Sequence, residues 1–334
     1  MARASKRYDH DLMNRPSKAA PSPRAPLLRL GTRQSPLAMA QAHETRARLC
    51  AAHGWDENAV ELVPVRASGD KIIDVPLADL GGKALWTKEL DAWLGEGHID
   101  AAVHSMKDVE TIRPAALTIT AILPRADVRD VLIGAASIAA IPQGAKVGTC
   151  APRRAAQMLN RRPDLQIVTF RGNVATRLAK LAAGEADVTL LAAAGLERLG
   201  RMGTGTPLAA QDWFPAPAQG AIGIECRTDD AKTQALIAAI DHAPSHTAIL
   251  AERALLAALG GNCHSPIAVL SEWSGEQLIL NCVLYSPDGT ERVEGSLLFD
   301  PSDTNAPARL AIDLLGRSTV GIITCFDGAL GGGV

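Results

Sequence analysis

The sequence predicts an α/β protein in which two regions with open parallel sheets precede a smaller α+β region. From Leu27 to about Pro244, short apolar runs alternate with segments that carry helix start and stop signals. Strands that alternate with helices form parallel sheets with helices on both faces. After Pro244, one predicted helix is followed by three strand-like runs, which is typical of a separate α+β unit. A chain of 334 residues is long enough for two or three domains.

The first region begins with an apolar run at residues 27–30, which predicts a strand. Ser35-Pro36 then supplies an N-cap and a proline at the first helical position, and the helix is predicted to end at Gly54. The other predicted elements of this region are a strand at 60–65, a turn at 68–70, a flexible loop at 81–83, a helix at 87–94 and a strand at 99–103.

The second region repeats this order from residue 146. Its predicted elements are a strand at 146–149, a helix at 152–160, a strand at 166–170, a helix at 174–183, a strand at 187–191 and a helix that ends near 199. The third region is predicted to contain a helix at 246–259, strands at 265–270, 277–285 and 292–299, and a helix at 306–315. Ser286-Pro287-Asp288-Gly289 is a hairpin signal between the last two strands.

The composition excludes several classes of protein. A net charge of −2 and a pI near 6.5 argue against a nucleic-acid-binding protein. The six cysteines are scattered without a C-x-x-C spacing, so the sequence predicts neither a disulfide framework nor a metal site. A reducing, cytoplasmic compartment is therefore expected. No segment is long and apolar enough to span a membrane.

Residues 1–26 differ from the rest of the chain. They are basic and polar, contain four prolines and lack an apolar stretch of signal-peptide length, so we predict a disordered tail. A basic leader that bears Ser and Arg leaves import into an organelle open, although Asp9 and Asp11 weigh against a transit peptide.

The segment His104-Ser105-Met106-Lys107-Asp108 follows a predicted buried strand and ends with a cation beside a carboxylate. Ligands of open α/β sheets bind outside the carboxyl ends of the strands. A lysine–aspartate pair alone is more often an inert surface ion pair. Other charged residues of the chain favour the functional interpretation.

Arginines recur where predicted strands end and predicted helices begin. Such positions offer free backbone N–H groups to anions, and a guanidinium adds a fork that matches carboxylates. One such arginine would be an ordinary surface residue, whereas several on one rim predict a cleft for a polyanion. The residues concerned are Arg33, Arg153, Arg154, Arg171 and Arg177, with Lys83 and Lys88 extending the rim. Asp108 would be the exceptional carboxylate there, suited to stabilise a transient cation or to transfer a proton.

Cys263 follows a predicted helix end and a Gly-rich loop, in Gly260-Gly261-Asn262-Cys263-His264. A single cysteine is most often a small buried side chain. The loop favours an exposed, reactive thiol instead, and we expect His264 to lower its pKa.

Seven motifs occur in a fixed order along the chain. They are 31–38 (GTRQSPLA), 81–83 (GGK), 104–108 (HSMKD), Arg153-Arg154, 171–178 (RGNVATRL), 219–226 (QGAIGIEC) and 261–263 (GNC). Together, from Leu27 to the C-terminus, they resemble the hydroxymethylbilane synthase (porphobilinogen deaminase) family.

The resemblance implies three domains, of which the first two are like type II periplasmic binding proteins with the site between them. The implied boundaries are 27–126 with 220–241 for domain 1, 127–219 for domain 2, and 242–334 for domain 3, which has a three-stranded antiparallel sheet. The implied activity joins four porphobilinogen molecules head to tail, releases four ammonia molecules and frees hydroxymethylbilane by hydrolysis. The implied cofactor is a dipyrromethane bound as a thioether.

The resemblance also implies roles for individual residues. Cys263 matches the cofactor-bearing cysteine, and Asp108 matches the carboxylate that assists ammonia loss and stabilises cationic intermediates. The full set is Asp108 and Lys107 for catalysis; Cys263, Lys83, Ser35, Thr149, Arg153, Arg154 and Asn173 for the cofactor; and Arg33, Arg171, Arg177, Gln219 and Gly220 for the substrate.

This chain departs from the family pattern at a few positions. Cys150, Ala151 and Pro152 stand where two serines and a leucine are usual, which removes two hydroxyl donors. Glu110 replaces a proline and Ala218 replaces a glycine. None of these changes affects Asp108 or Cys263, so altered affinity is expected rather than lost activity.

The resemblance implies a monomer that acts without nucleic acid or membrane and passes its product to uroporphyrinogen-III synthase. Two alternatives stay open. One is a non-catalytic module that binds small anions, which would fit the arginine rim but gives no role to Asp108 or Cys263. The other is a hydrolase or transferase with Cys263 as nucleophile and His264 as base, which is disfavoured because adjacent residues of an extended chain point to opposite sides.

Overall fold

The computed structural model describes residues 25–65 and 87–326. The predicted turn at 68–70, the loop at 81–83 with Lys83, and all but the last two residues of the predicted tail lie outside the described residues. The helices are Pro36–His53 (α1), Lys88–Gly95 (α2), Pro152–Arg161 (α3), Val174–Ala182 (α4), Ala193–Arg198 (α5), Ala231–Ala238 (α6), Ala243–Ala258 (α7), Ala306–Arg317 (α8) and Val320–Ile323 (α9). The strands are Leu28–Arg33 (β1), Val60–Val65 (β2), Ala101–Ser105 (β3), Leu117–Ile122 (β4), Asp130–Ile133 (β5), Lys146–Gly148 (β6), Gln166–Val168 (β7), Val188–Ala192 (β8), Thr206–Pro207 (β9), Ile222–Arg227 (β10), Ile267–Ser274 (β11), Gln277–Tyr285 (β12) and Arg292–Phe299 (β13).

Local signals explain where the first helix lies. Ser35 caps α1 by accepting a hydrogen bond from the backbone N–H of Ala38, Pro36 occupies the first helical position, and Gly54 ends the helix with a φ of 66°. The side chains of Ala42, Thr45 and Leu49 are buried along one side of this helix. The predicted bounds of α1 are therefore confirmed.

Two five-stranded sheets have the same arrangement. The first sheet has the strand order β2-β1-β3-β10-β4 and the second has the order β7-β6-β8-β5-β9. In each sheet the first three strands of that order are parallel. The fourth strand is antiparallel to both of its neighbours.

The predicted parallel pairing is confirmed for the first three strands of each order, whereas β5 and β10 run antiparallel to their neighbours, which the sequence did not predict. Each of these strands is the first that the chain forms after it crosses from one sheet to the other. A strand that arrives in this way is not preceded by a helical crossover within its own sheet, so nothing forces it to run parallel. The crossing segments are residues 123–129 and 208–221, and both predicted boundaries between domains 1 and 2 fall inside them.

The third sheet is an antiparallel meander, β11-β12-β13, with α7 and α8 packed on it. Its core contains Leu255 from α7, Leu280 from β12 and Leu314 from α8, all fully buried. The predicted bounds of β12 and β13 agree with the structure, and the fold class is confirmed: a mixed α/β chain with a C-terminal three-stranded antiparallel sheet. Among the described residues, no helix has the length and apolar character needed to cross a bilayer.

Candidate active site

The carboxyl end of β3 carries the first predicted site residues. β3 ends at Ser105 and continues into a 3-10 turn, Met106–Asp108. Met106 is buried against β10, where a side chain at Gly223 would collide with its sulfur. Glycine at 223 therefore admits Met106, and this anchor leaves Lys107 and Asp108 at the edge of the first sheet.

A cavity of about 50 Å³ lies beside Asp108. Arg33 at the end of β1, Ser35 at the cap of α1, Gln41 and Ser105 also line it. Gln41 Nε2 donates a hydrogen bond to Ser105 Oγ at 2.8 Å. The structure thus brings together three predicted site residues, Arg33, Ser35 and Asp108, around one small space.

Asp130 organises the predicted cofactor arginines on the second sheet. It begins β5 and is fully buried. Its carboxylate accepts hydrogen bonds from Arg153 (2.8 Å), Arg154 (2.7 and 3.2 Å), Trp213 Nε1 (2.9 Å) and Gln219 Nε2 (2.9 Å). Burial disfavours the charged form, but the two guanidinium groups outweigh it and hold the pKa of Asp130 far below its usual range. We call these five residues the Asp130 cluster.

The Asp130 cluster has a surplus of positive charge. It contains two guanidinium groups and one carboxylate, and the residues described here include no other carboxylate bonded to Arg153 or Arg154. Arg153 Nε and Gln219 Oε1 are buried without a hydrogen-bond partner within the described residues. A buried donor, a buried acceptor and an uncompensated cation together suit an anionic, polar ligand.

The expectation that Asp108 is the exceptional carboxylate is therefore wrong, because Asp130 also lies among the predicted arginines. Arg153, Arg154 and Arg171 are buried, which excludes the alternative that they are solvated surface residues. Arg153 and Arg154 are held on α3 and Arg171 follows β7, as predicted, and their binding of a ligand stays a prediction. Fixed cations lose less conformational entropy when they bind a ligand.

Lys107 connects the two sheets electrostatically. Burial, together with the charges of Arg154 and Arg153, lowers the pKa of Lys107 to about 8, against the opposing charges of Asp108 and Asp130. A lysine on the first sheet therefore lies within electrostatic reach of the Asp130 cluster on the second.

Arg177, on α4, carries a charge that no described carboxylate neutralises by an ion pair. Its Nε donates to the carbonyl of Gly172 at 2.9 Å and its Nη2 contacts Cys150 Sγ at 3.3 Å. Burial lowers the pKa of Arg177 and the charge of Asp108 raises it, so Asp108 lies within reach of this guanidinium as well. Cys150 thus occupies part of the predicted carboxylate site.

Two other predicted residues have local structural tasks. Asn173 caps α4, since its Oδ1 accepts from the Thr176 backbone N–H at 2.9 Å. Thr149 is buried, and its hydroxyl accepts from the Ala151 backbone N–H at 3.2 Å. Their roles toward a ligand stay predictions.

The crossing segment 208–221, which returns the chain to the first sheet, contains Ala218, Gln219 and Gly220. Gly220 has a φ of 85°, and a Cβ there would come within 2.7 Å of the Ala126 carbonyl of the other crossover. Ala218 is the one non-glycine among the described residues with a positive φ, 59°, which costs an L residue about 1–2 kcal/mol. Arg198, which was not predicted from the sequence, donates to the Gly220 carbonyl at 3.2 Å and pairs with Glu44 of α1.

Cys263 has an exposed surface, as predicted, but its expected activation by His264 is wrong. The protein around the thiol desolvates its charged form, and the negative charge of Asp108 adds to this effect, so the pKa of Cys263 is raised to about 11. Burial lowers the pKa of His264, and no hydrogen bond between the two side chains occurs in the described chain. The Cys263 thiol therefore lies within electrostatic reach of the Asp108 carboxylate.

A second buried charge cluster lies behind the Asp108 turn. Glu225 of β10 is fully buried and accepts hydrogen bonds from Arg113 Nε at 2.9 Å and Nη2 at 2.7 Å. His104 Nε2 lies 3.3 Å from the Glu225 carboxylate. Arg113 also binds Asp91 at 2.5 Å and Glu110 at 2.6 Å. Burial raises the pKa of Asp91, whereas His104 and Arg113 overcome the burial of Glu225 and lower its pKa to about 2. We call these five residues the Glu225 cluster.

Neither Asp130 nor Arg113 was predicted from the sequence as a member of these clusters. The only local signal for Asp130 is an acidic residue at the start of an apolar run, residues 131–133. Glu225 lies inside the motif at 219–226, but no residue near it in the sequence indicates a cationic partner for its carboxylate.

Comparison with known proteins gives a consistent result. Family models described as "Porphobilinogen deaminase, dipyromethane cofactor binding domain" and "Porphobilinogen deaminase, C-terminal domain" match residues 28–235 and 246–315. The porphobilinogen deaminase of Sphingopyxis alaskensis is 55% identical over 305 residues, covering 90% of this chain and 96% of that relative. Those of Paracoccus denitrificans and rice chloroplasts are both 48% identical, covering 89% and 81% of this chain and 96% and 77% of the respective relatives. The family models and these identities show that this chain belongs to the porphobilinogen deaminase family.

Proposed function

We propose that this chain condenses four porphobilinogen molecules head to tail, with release of four ammonia molecules, and frees hydroxymethylbilane by hydrolysis. The observation that carries the proposal is the position of one carboxylate. Asp108 acts electrostatically on the Cys263 thiol, on Lys107 and on Arg177, which come from three different parts of the fold. A proposed attachment point, a carboxylate and proposed carboxylate-binding cations therefore lie within electrostatic reach of one another, and a hydrogen bond from Thr111 Oγ1 to the Gly261 carbonyl at 2.9 Å joins the segment after Asp108 to the loop of Cys263.

The described residues fit a dipyrromethane joined to Cys263. Such a group carries acetate and propionate arms, and the Asp130 cluster offers a surplus positive charge together with a buried donor, Arg153 Nε, and a buried acceptor, Gln219 Oε1. When bound, the cofactor would supply an electron-rich pyrrole as the acceptor for the incoming unit. Arg153, Arg154 and Gln219 would hold it, and covalent attachment through Cys263 is part of the proposal.

Asp108 is proposed to act on the substrate's aminomethyl group. The aminomethyl group in its ammonium form leaves as neutral ammonia when the C–N bond breaks, and the positive charge passes to the pyrrole unit. The ionised carboxylate of Asp108 accepts a hydrogen bond from the ammonium and stabilises the cation that develops. Met106 fixes the turn that carries this carboxylate. A preorganised carboxylate stabilises the developing cation without rearrangement at the moment of reaction.

The cations are proposed to bind the carboxylate arms of substrate and product. Arg33 and Ser35 lie with Asp108 around the small cavity, so they are placed to orient the incoming pyrrole. Arg171 and Arg177, with Lys107, would hold the arms of the growing chain, and Thr149, Asn173 and Gly220 would contribute polar contacts. Lys83 is proposed for the same task by the resemblance alone.

Cys150 is proposed to lower the affinity for the carboxylate arm that binds beside Arg177. Its thiol contacts Arg177 at 3.3 Å, where relatives commonly offer a hydroxyl. A thiol is a weaker hydrogen-bond donor than a hydroxyl, so one carboxylate arm would be bound less tightly.

We further propose a cytoplasmic monomer that transfers its unstable linear product to uroporphyrinogen-III synthase. The scattered cysteines favour a reducing compartment. A non-catalytic anion-binding module remains the alternative function, and the arrangement of Asp108 and Cys263 argues against it.

Intact-mass measurement tests the attachment. Full-length protein from cells that make porphobilinogen is expected to carry two extra pyrrole units, and Cys263→Ser is expected to carry none because its oxygen is a poorer nucleophile toward this carbon. Cys325→Ser, a change at another cysteine of the C-terminal region, is the control and should keep the adduct. An unmodified wild-type mass, together with no consumption of porphobilinogen, would support the anion-binding module instead.

Asp108→Asn tests the catalytic role. The variant is expected to fold and to keep its adduct but to lose about 10²- to 10³-fold in kcat, since the charge acts mainly in the transition state. Asp313→Asn, at an exposed ion pair on α8, is the matched control. Turnover of Asp108→Asn at the control's rate would exclude Asp108 from catalysis.

A further inference from the structure

A short segment joins the turn that bears Asp108 to the loop that bears Cys263. Residues 109–111 follow Asp108 directly, and Thr111 Oγ1 donates a hydrogen bond to the Gly261 carbonyl at 2.9 Å. Gly261 lies two residues before Cys263. One hydrogen bond therefore connects the carboxylate to the thiol through five covalent residue steps. We call residues 109–111 the strap.

A single guanidinium from α7 holds the strap backbone. Arg253 Nη2 donates to the carbonyls of Glu110 at 2.6 Å and Thr111 at 3.1 Å, and its Nη1 donates to the carbonyl of Val109 at 3.4 Å. Arg253 itself is buried. All three strap carbonyls are thus fixed to the C-terminal α+β unit rather than to the first sheet.

The side chain of Glu110 holds the strap from the opposite direction. Its carboxylate accepts from Thr87 Oγ1 at 2.8 Å and from Arg113 Nη1 at 2.6 Å, which ties it to the Glu225 cluster. The strap is therefore clamped between the first sheet, through a side chain, and α7, through its backbone.

The other end of the connection is equally constrained. A Cβ at Gly261 would come within 2.6 Å of Leu256 Cδ1, so the loop packs closely on α7. Asn262 N–H donates to Ser265 Oγ at 3.1 Å, and Ser265 Oγ donates to the Cys325 carbonyl at 3.1 Å. The base of the Cys263 loop is a fixed support for Thr111.

We propose that the strap sets the position of Asp108 relative to Cys263, with Thr111 and Arg253 as positioning residues for the reaction. The inference rests on the roles proposed above for Asp108 and Cys263. Loss of the Thr111 hydroxyl would let the Asp108 turn and the cofactor-bearing loop move independently, and the carboxylate would spend less time against the reacting carbon. The fold would persist, since Arg253 and Glu110 still hold the strap.

Thr111→Val tests the proposal because it removes the hydroxyl while keeping the branched shape. Thr111→Ser restores the donor. The matched control is Thr228→Val, which removes another threonine hydroxyl that donates to a distant backbone carbonyl, Ala115, at the same 2.9 Å but within the first-sheet region. The first measurements are kcat and KM for porphobilinogen and the melting temperature. The second is a rate: full-length protein from cells unable to make porphobilinogen is mixed with porphobilinogen, and the appearance of its adduct is followed by intact-mass measurement.

Thr111→Val is expected to lower kcat and the rate of adduct gain by about fivefold each, the factor that corresponds to one lost hydrogen bond. KM should stay unchanged, Thr111→Ser should recover most of the loss, and Thr228→Val should match wild type in both rates. Equal rates in Thr111→Val and wild type would overturn the strap proposal alone, as would equal losses in both valine variants with equal falls in melting temperature. A wild-type protein that neither gains an adduct nor consumes porphobilinogen would overturn the proposed function, and the strap proposal with it.

Discussion

The Asp130 and Glu225 clusters are both buried and centred on a fully buried carboxylate, but their charge balances are opposite. The Asp130 cluster places two guanidinium groups on one carboxylate. The Glu225 cluster places one guanidinium, Arg113, among three carboxylates, with His104 beside Glu225. Burial of charge is costly in either case unless the charges are paired and hydrogen-bonded.

The difference separates a binding cluster from a supporting one. The surplus positive charge of the Asp130 cluster faces Lys107 and leaves buried polar atoms unpartnered among the residues described, so a carboxylate-bearing ligand would complete it. In the Glu225 cluster the three carboxylates are bound by Arg113 and, at Glu110, by the neighbouring Thr87, so the surplus charge is negative and the cluster fixes β10 against the segment after Asp108. Its one buried side-chain atom without a hydrogen-bond partner among the residues described is His104 Nε2. The arginines recognised in the sequence predicted the binding cluster but gave no sign of the supporting one.

The largest effect is expected for Asp130→Asn. The substitution leaves two buried guanidinium groups without a described counter-charge, so the free energy of unfolding should fall by about 3–5 kcal/mol. Urea denaturation at pH 7 measures this change. Asp313→Asn, at an exposed pair, should leave the urea midpoint unchanged. If both variants unfold at the same urea concentration, Asp130 does not stabilise the second sheet in the way that its contacts indicate.

The Asp130 cluster also shows why sequence reasoning found the ligand-facing residues but not their support. Asp108 and Cys263 lie in short motifs whose residues are contiguous, so one stretch of sequence reveals both the residue type and its setting. The partners of Asp130 lie 23, 24, 83 and 89 residues away, and no local pattern joins them. Their proximity is a consequence of the crossovers.

The same limit applies to the fold. The spacing of apolar and turn residues predicted β12 and β13 with their bounds, because a hairpin is specified by neighbouring residues. The strand β10 was not predicted, although its sequence was quoted as a motif. Its pairing partners, such as His104 for Gly223, lie more than 100 residues away, and its antiparallel direction depends on the path of the returning crossover.

A smaller effect is expected for Glu225→Gln, because Arg113 keeps Asp91 and Glu110 as partners. At pH 7 the free energy of unfolding should fall by about 1–3 kcal/mol. The pKa of Glu225 is lowered from 4.5 to about 2, so its ionised form stabilises the fold fully above pH 4.5, and this contribution is lost as the pH falls toward 2.

The pH dependence of the unfolding free energy tests whether the ionised carboxylate of Glu225 stabilises its cluster. The difference in unfolding free energy between wild type and Glu225→Gln should shrink between pH 5 and pH 2, by on the order of 3 kcal/mol at most. Urea denaturation at several pH values measures it. A difference that is constant over this range would mean that the ionised carboxylate of Glu225 is not what stabilises the cluster.

The smallest effect concerns Lys107, the cation that faces the Asp130 cluster from the first sheet. Its pKa, lowered to about 8, means that the ammonium loses its proton as the pH rises through 8. If it binds a carboxylate arm, KM for porphobilinogen should increase about fivefold between pH 7 and pH 9.5, the factor of one lost charged contact. Lys107→Arg should flatten this increase, since a guanidinium stays protonated throughout, while Lys232→Arg, at an exposed position on α6, should keep the wild-type profile. An increase that persists in Lys107→Arg would assign the titration to another group. The surplus positive charge available to the ligand would then come from the second sheet alone, which would sharpen the contrast between the two clusters.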